Sequence, residues 1–122
     1  MTEYRRANVP GATWFFTVNL ARRRDNRLLV HEIDRLRAAF ASVRRTHPFT
    51  IDAMVVMPDH LHCIWTLPPG DCDYSTRCSL IKSTFSRGLP RGEERSASRV
   101  ARGERGIWQR RFWEHTIRSR PC

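Results

Sequence analysis

A chain of 122 residues is long enough for one domain with a modest core and too short for two. With 40% hydrophobic and 10% aromatic residues it is not a disordered composition. No long apolar run offers a membrane span and residues 1–6 carry no signal-peptide core, so a cytoplasmic protein without a membrane partner is expected.

The formal net charge is +10, and Lys82 is the only lysine. Arginine meets phosphate bidentately, so a polyanion is the expected partner. The excess clusters at Arg5-Arg6, Arg22-Arg23-Arg24, Arg44-Arg45 and Arg110-Arg111. The cysteines Cys63, Cys72, Cys78 and Cys122 are expected to be free thiols in a reducing compartment.

Residues 12–20 are β-branched and aromatic after Pro10-Gly11, a strand pattern. Over 31–46, Ile33, Leu36, Phe40 and Val43 recur at helical spacing, with Arg35, Arg37, Arg44 and Arg45 left to the wet side and Pro48 as the stop. Residues 49–57 and 60–67 read as strands joined tightly through Pro58-Asp59, hence antiparallel neighbours. Ser75 is a candidate N-cap for a helix over about 76–88 with Leu80, Ile81, Thr84 and Phe85 inward. Residues 89–106, rich in Gly, Ser, Arg and Glu, read as a flexible loop. Ile107-Trp108 and 112–118 regain a strand pattern. The order β-α-β-β-α-β predicts an α+β, ferredoxin-like split β-α-β fold. It has an antiparallel sheet with helices on one face and the other face free for a site. Residues 1–118 are expected to form the single domain and 119–122 a divergent tail.

Within the third strand, His60 and His62 flank Leu61. Side chains alternate along a strand, so both imidazoles share one face and could grip one divalent ion. Two imidazoles rarely suffice as ligands. Asp59 is adjacent but falls on the other face of a regular strand, and His115 of the last strand is another candidate. A zinc site from His60, His62, Cys72 and Cys78 matches no common spacing. In a basic protein a two-histidine metal suggests phosphate chemistry: the ion draws charge from a phosphate oxygen and orients the phosphorus for attack.

Four segments, in order, resemble the REP-associated tyrosine transposases, a branch of the single-tyrosine transposases among the HUH single-strand endonucleases. They are Tyr4-Arg5-Arg6-Ala7 with residues 10–18, Val56 through Trp65, Tyr74 through Arg87, and Ile107 through Arg118. The resemblance implies that His60 and His62 hold Mg2+ or Mn2+ at the scissile phosphate. It implies single-stranded DNA folded into a hairpin as substrate, cleaved and joined through a phosphotyrosine. Arg5, Arg6, Lys82, Arg87, Arg110 and Arg111 become candidates for DNA contact.

In that family a helix after the last strand carries the nucleophilic tyrosine and, one turn on, a further metal ligand. Here the match ends at Arg118 and is followed by Ser119-Arg120-Pro121-Cys122. The only tyrosines, Tyr4 and Tyr74, fall in other segments of the pattern. The expectation is therefore a family member with no catalytic tyrosine, a weakened metal site and no cleavage activity of its own. The alternatives are a hairpin-binding protein without catalysis or a truncated relic. A homodimer, or a mixed dimer with an intact relative, is the protein partner considered.

Overall fold

The computed structural model describes residues 11–118. Four strands, β1 (Thr13–Asn19), β2 (Thr50–Val56), β3 (His60–Thr66) and β4 (Trp113–Arg118), form one antiparallel sheet in the order β2-β3-β1-β4. The helices are α1 (Leu28–His31), α2 (Ile33–Thr46), α3 (Tyr74–Arg87) and α4 (Ala97–Arg102). This is the ferredoxin-like arrangement the sequence predicts, because a helical crossover places β1 and β2 in parallel and the β2–β3 hairpin fills the gap between them antiparallel.

Strand β3 shows the alternation most clearly. Leu61, Cys63 and Trp65 are buried while His60, His62, Ile64 and Thr66 are only partly so. The buried side meets α2 through Leu36, Ala39, Phe40 and Val43, and α3 through Cys78, Ile81 and Phe85. Trp65 is the hub: its ring lies 4.4 Å from Phe16 and 4.3 Å from Phe49 between centroids, with Phe40 edge-on at 6.3 Å.

Three expectations need correction. The cap of α3 is Asp73, whose carboxylate accepts from the Thr76 amide at 3.1 Å; Ser75 lies inside the helix. Asp fits the role as well as Ser, and spacing alone could not separate them. Second, residues 89–106 are ordered rather than a free loop. Arg105 grips the Glu93 carboxylate with Nε and Nη2 at 2.7 and 3.0 Å and donates to the Ser86 carbonyl at 2.8 Å. Within the same stretch Ser96 caps α4 and left-handed Gly103 ends it. Low apolar content hid this, because ion pairs and caps hold the segment instead of a hydrophobic stripe. Third, Cys63 and Cys78 are free and buried, but Cys72 is disulfide-bonded, so free thiols do not describe all four cysteines.

Arginine also builds the interior. Arg77 is almost fully buried, and its guanidinium donates to both Asp71 carboxylate oxygens (3.0 and 2.8 Å) and to the carbonyls of His47, Pro48 and Asp73. Arg99 donates to the carbonyls of Arg105 and Trp108. Part of the positive charge is therefore structural.

Candidate metal and DNA site on the open sheet face

The helix-free face is set by register. Thr17 sits opposite His62 and Asn19 opposite His60 on β1, Val55 opposite His62 on β2, and Trp113 opposite Thr17 on β4. Period-two alternation puts Thr13, Phe15, Thr17, Trp113, His115 and Ile117 on the histidines' face. The large exposed apolar side chains Val55, Met57, Trp113 and Ile117 gather on that face or at its rim. Phe15 stacks on His62 at 5.6 Å and meets Trp113 edge-on at 5.7 Å; Trp113 stacks on His115 at 5.7 Å.

The two imidazoles are 4.9 Å apart between ring centroids and nearly perpendicular. Each has its Nδ1 engaged. His60 Nδ1 lies 2.7 Å from Asp59 Oδ1, and His62 Nδ1 lies 2.9 Å from Thr17 Oγ1. An ionised carboxylate only accepts, so His60 carries a proton on Nδ1, and in the neutral ring Nε2 then holds the bare lone pair. Thr17 Oγ1 can accept from His62 Nδ1 and produce the same tautomer. This is the arrangement by which outer partners fix metal-ligating imidazoles.

Asp59 departs from expectation. It precedes β3 in the turn, where the Met57 amide donates to the His60 carbonyl, so its carboxylate folds back to His60 instead of pointing to the far side. The hydrogen bonds from His60 and then Arg23 hold its carboxyl below the usual carboxylate range. Arg23 Nε donates to Asp59 Oδ2 at 2.8 Å. Its Nη2 stands 3.4 Å from His60 Nδ1; with both atoms carrying protons this is proximity around a shared carboxylate, not a hydrogen bond. In the sequence Arg23 was only one member of a basic cluster pointing to a polyanion, and Thr17 was not singled out at all. Thr17 was findable from the strand pairing, whereas Arg23 needed the fold.

A divalent ion fits this face only in part. His60 and His62 offer two nitrogen ligands, and no group of three or more His, Cys, Asp or Glu side chains able to hold a metal occurs among the described residues. His115 does not join them: it lies on β4, with β1 between it and β3, and its ring stacks on Trp113. The zinc alternative fails too: Cys78 is packed in the core on the covered side of the sheet, where burial pushes its thiol up to about 12.

The candidate DNA contacts fall apart spatially. Arg5 and Arg6 lie outside the described residues. Lys82 is half-buried, donating to the carbonyls of Gln109 (2.8 Å) and Arg110 (3.3 Å); burial lowers its pKa. Arg87 is exposed at the end of α3, on the covered side. Arg110 is tied to Glu104 and Ser98 at 2.9 Å each. Exposed Arg111 makes no hydrogen bond or ion pair among the described residues. An open cleft of about 1160 Å³, lined by Arg22, Asn26, Arg91, Arg95 and Ser96 among others, separates the segment after β1 from residues 89–107; the sequence reading did not foresee it. Tyr74 also lies on the covered side, 4.4 Å from Trp14 between centroids, its pKa raised by burial and then by the Glu114 charge.

Residues 14–121 match the family model described as "Transposase IS200 like". The chain is 49% identical over 119 residues to the REP-associated tyrosine transposase of Escherichia coli K12, covering 98% of this chain and 64% of that relative. A Haemophilus influenzae relative provisionally given the same description is 38% identical, covering 98% and 68%. Among solved structures, a REP-associated tyrosine transposase bound to a REP hairpin superposes with TM-score 0.71 at 48% identity, covering 98% of this chain and 64% of that one. A transposase-like protein from Deinococcus radiodurans shares the fold at TM-score 0.64 and 16% identity, covering 95% and 86%. The chain thus spans under two thirds of the E. coli relative's length.

Proposed function

The chain belongs to the IS200-like transposase family, and from that membership and the geometry of the open face we propose that it binds hairpin-forming single-stranded DNA and presents a divalent cation to one of its phosphates. The relative bound to a REP hairpin supports the choice of ligand. One observation carries the reading: both histidine Nδ1 atoms are occupied by Asp59 and Thr17, which turns two free Nε2 edges to one face. Mg2+ or Mn2+ held there by His60 and His62 would withdraw charge from a phosphate oxygen. The rest is the chain's own work. Arg111, with Arg5, Arg6 and Arg110, supplies phosphate contacts around the hairpin, and Trp113 with Phe15 gives unpaired bases an aromatic surface on which to stack. Residues 1–118 act here as one unit.

Tyr74 does not face the imidazoles, so the described residues support metal and hairpin binding without supplying a tyrosine nucleophile. Binding is tested by fluorescence anisotropy on a labelled REP-type hairpin with a single-stranded flank, in Mn2+ across a salt series. Affinity is expected to fall steeply with salt as phosphate contacts release counterions, and His62→Ala is expected to abolish the Mn2+ contribution. Salt-independent binding, or equal affinity for unrelated duplex DNA, overturns the reading.

A further inference from the structure

The three arginines after β1 look alike in sequence and differ in the fold. The Arg22 and Arg24 side chains make no hydrogen bond or ion pair among the described residues. Arg23 does, and its target is Asp59, 36 positions away.

The geometry forms a relay of three side chains. Arg23 Nε takes Asp59 Oδ2 at 2.8 Å, and Asp59 Oδ1 takes His60 Nδ1 at 2.7 Å. The main chain beneath is fixed from two sides: the Leu20 amide donates to the Asp59 carbonyl at 2.9 Å and the Leu29 amide to the Pro58 carbonyl at 3.2 Å. The carboxylate's own torsion is the remaining freedom, and Arg23 removes it by engaging the oxygen that His60 does not use. Asp59 is largely shielded, with 18% side-chain exposure against 48% for Arg23. A half-exposed ion pair adds little to global stability. Its consequence therefore falls on the group Asp59 holds.

We infer that Arg23 is a positioning residue of the metal site, holding Asp59 so that His60 keeps its proton on Nδ1 and its Nε2 bare for a divalent cation. This rests on the reading that His60 and His62 bind the metal. The competing assignment, that Arg23 contacts a DNA phosphate like its neighbours, makes opposite forecasts.

The test uses Arg23→Gln and Arg23→Lys in the full chain. Long-range nitrogen–proton NMR of the metal-free protein is expected to show His60 as the Nδ1-protonated tautomer in the parent and as a tautomer mixture in Arg23→Gln. Titration with Mn2+ alone is expected to show about tenfold weaker binding for Arg23→Gln, the low end of the range for lost outer partners. Arg23→Lys, whose ammonium can still reach Asp59, should recover part of it. The melting temperature should not move, and the salt slope of hairpin binding should stay that of the parent. An unchanged tautomer and Mn2+ affinity, with a salt slope reduced by about one, would make Arg23 a phosphate contact and overturn the inference. His62→Ala is the control. If it leaves Mn2+ binding unaltered, the metal reading itself falls and Arg23's role with it; if it abolishes binding while Arg23→Gln does nothing, only the inference falls.

Discussion

The two sides of β3 are made from seven consecutive residues and behave as different materials. Leu61, Cys63 and Trp65 are at most 2% exposed and face two helices, while His60 and His62 face outward, each held by one polar partner. The arginines divide the same way. On the covered side Arg77 and Arg105 spend their donors on carboxylates and carbonyls of the fold; Arg23 reaches the turn before His60, and Arg111 makes no hydrogen bond or ion pair among the described residues. If the open face binds as proposed, stability and binding are separated across a single layer of backbone, and substitutions on one side should leave the other property alone.

The largest effect should come from Trp65→Ala, which removes the hub of the covered side and is expected to cost about 3–5 kcal/mol in chemical denaturation. His60→Ala or His62→Ala on the opposite side should stay within about 0.5 kcal/mol of the parent. A loss there as large as that of Trp65→Ala would end the separation.

Arg105→Ala should cost about 2 kcal/mol, the scale of hydrogen bonds to a charged group, and should raise amide exchange across residues 89–106 selectively. Its partner gives a pH signature. The Arg105 guanidinium holds the Glu93 carboxyl well below its usual range. The pair's stabilisation is thus complete above about pH 4.5, the ordinary carboxylate value, and is lost as pH falls, because the unfolded chain takes up a proton the folded chain refuses. Melting curves below that pH should fall less steeply in Glu93→Gln.

On the open face, Thr17→Val removes the partner of His62 Nδ1 and should weaken Mn2+ binding about tenfold, near 1.4 kcal/mol, with little change in melting. Smallest, Trp113→Ala should weaken hairpin DNA with an unpaired flank by about 1 kcal/mol and leave fully paired DNA unaffected. Equal losses on both DNAs would take base stacking off this face.

Much of this was legible beforehand. The strands, α2, the β2–β3 hairpin and the shared face of His60 and His62 follow from local periodicity, because alternation and helical spacing are properties of neighbouring residues. The cap of α3 shifted by two positions since Asp73 and Ser75 satisfy the same local rule. The segment 89–106 was misread because its order comes from Glu93, Ser96 and Arg105, polar residues whose composition resembles a disordered chain until they find one another.

Fold class, family and the shared face of the two imidazoles follow from the order of residues alone. Which arginines are structural, that Asp59 turns back to His60 rather than away, and that Arg23 alone of its run reaches it emerge with the assembled fold. The difference is one of range. Periodicity sorts side chains between two faces, but a guanidinium finds its carboxylate across 36 residues only after β1 and β3 have paired and brought the turn before His60 beside the end of β1.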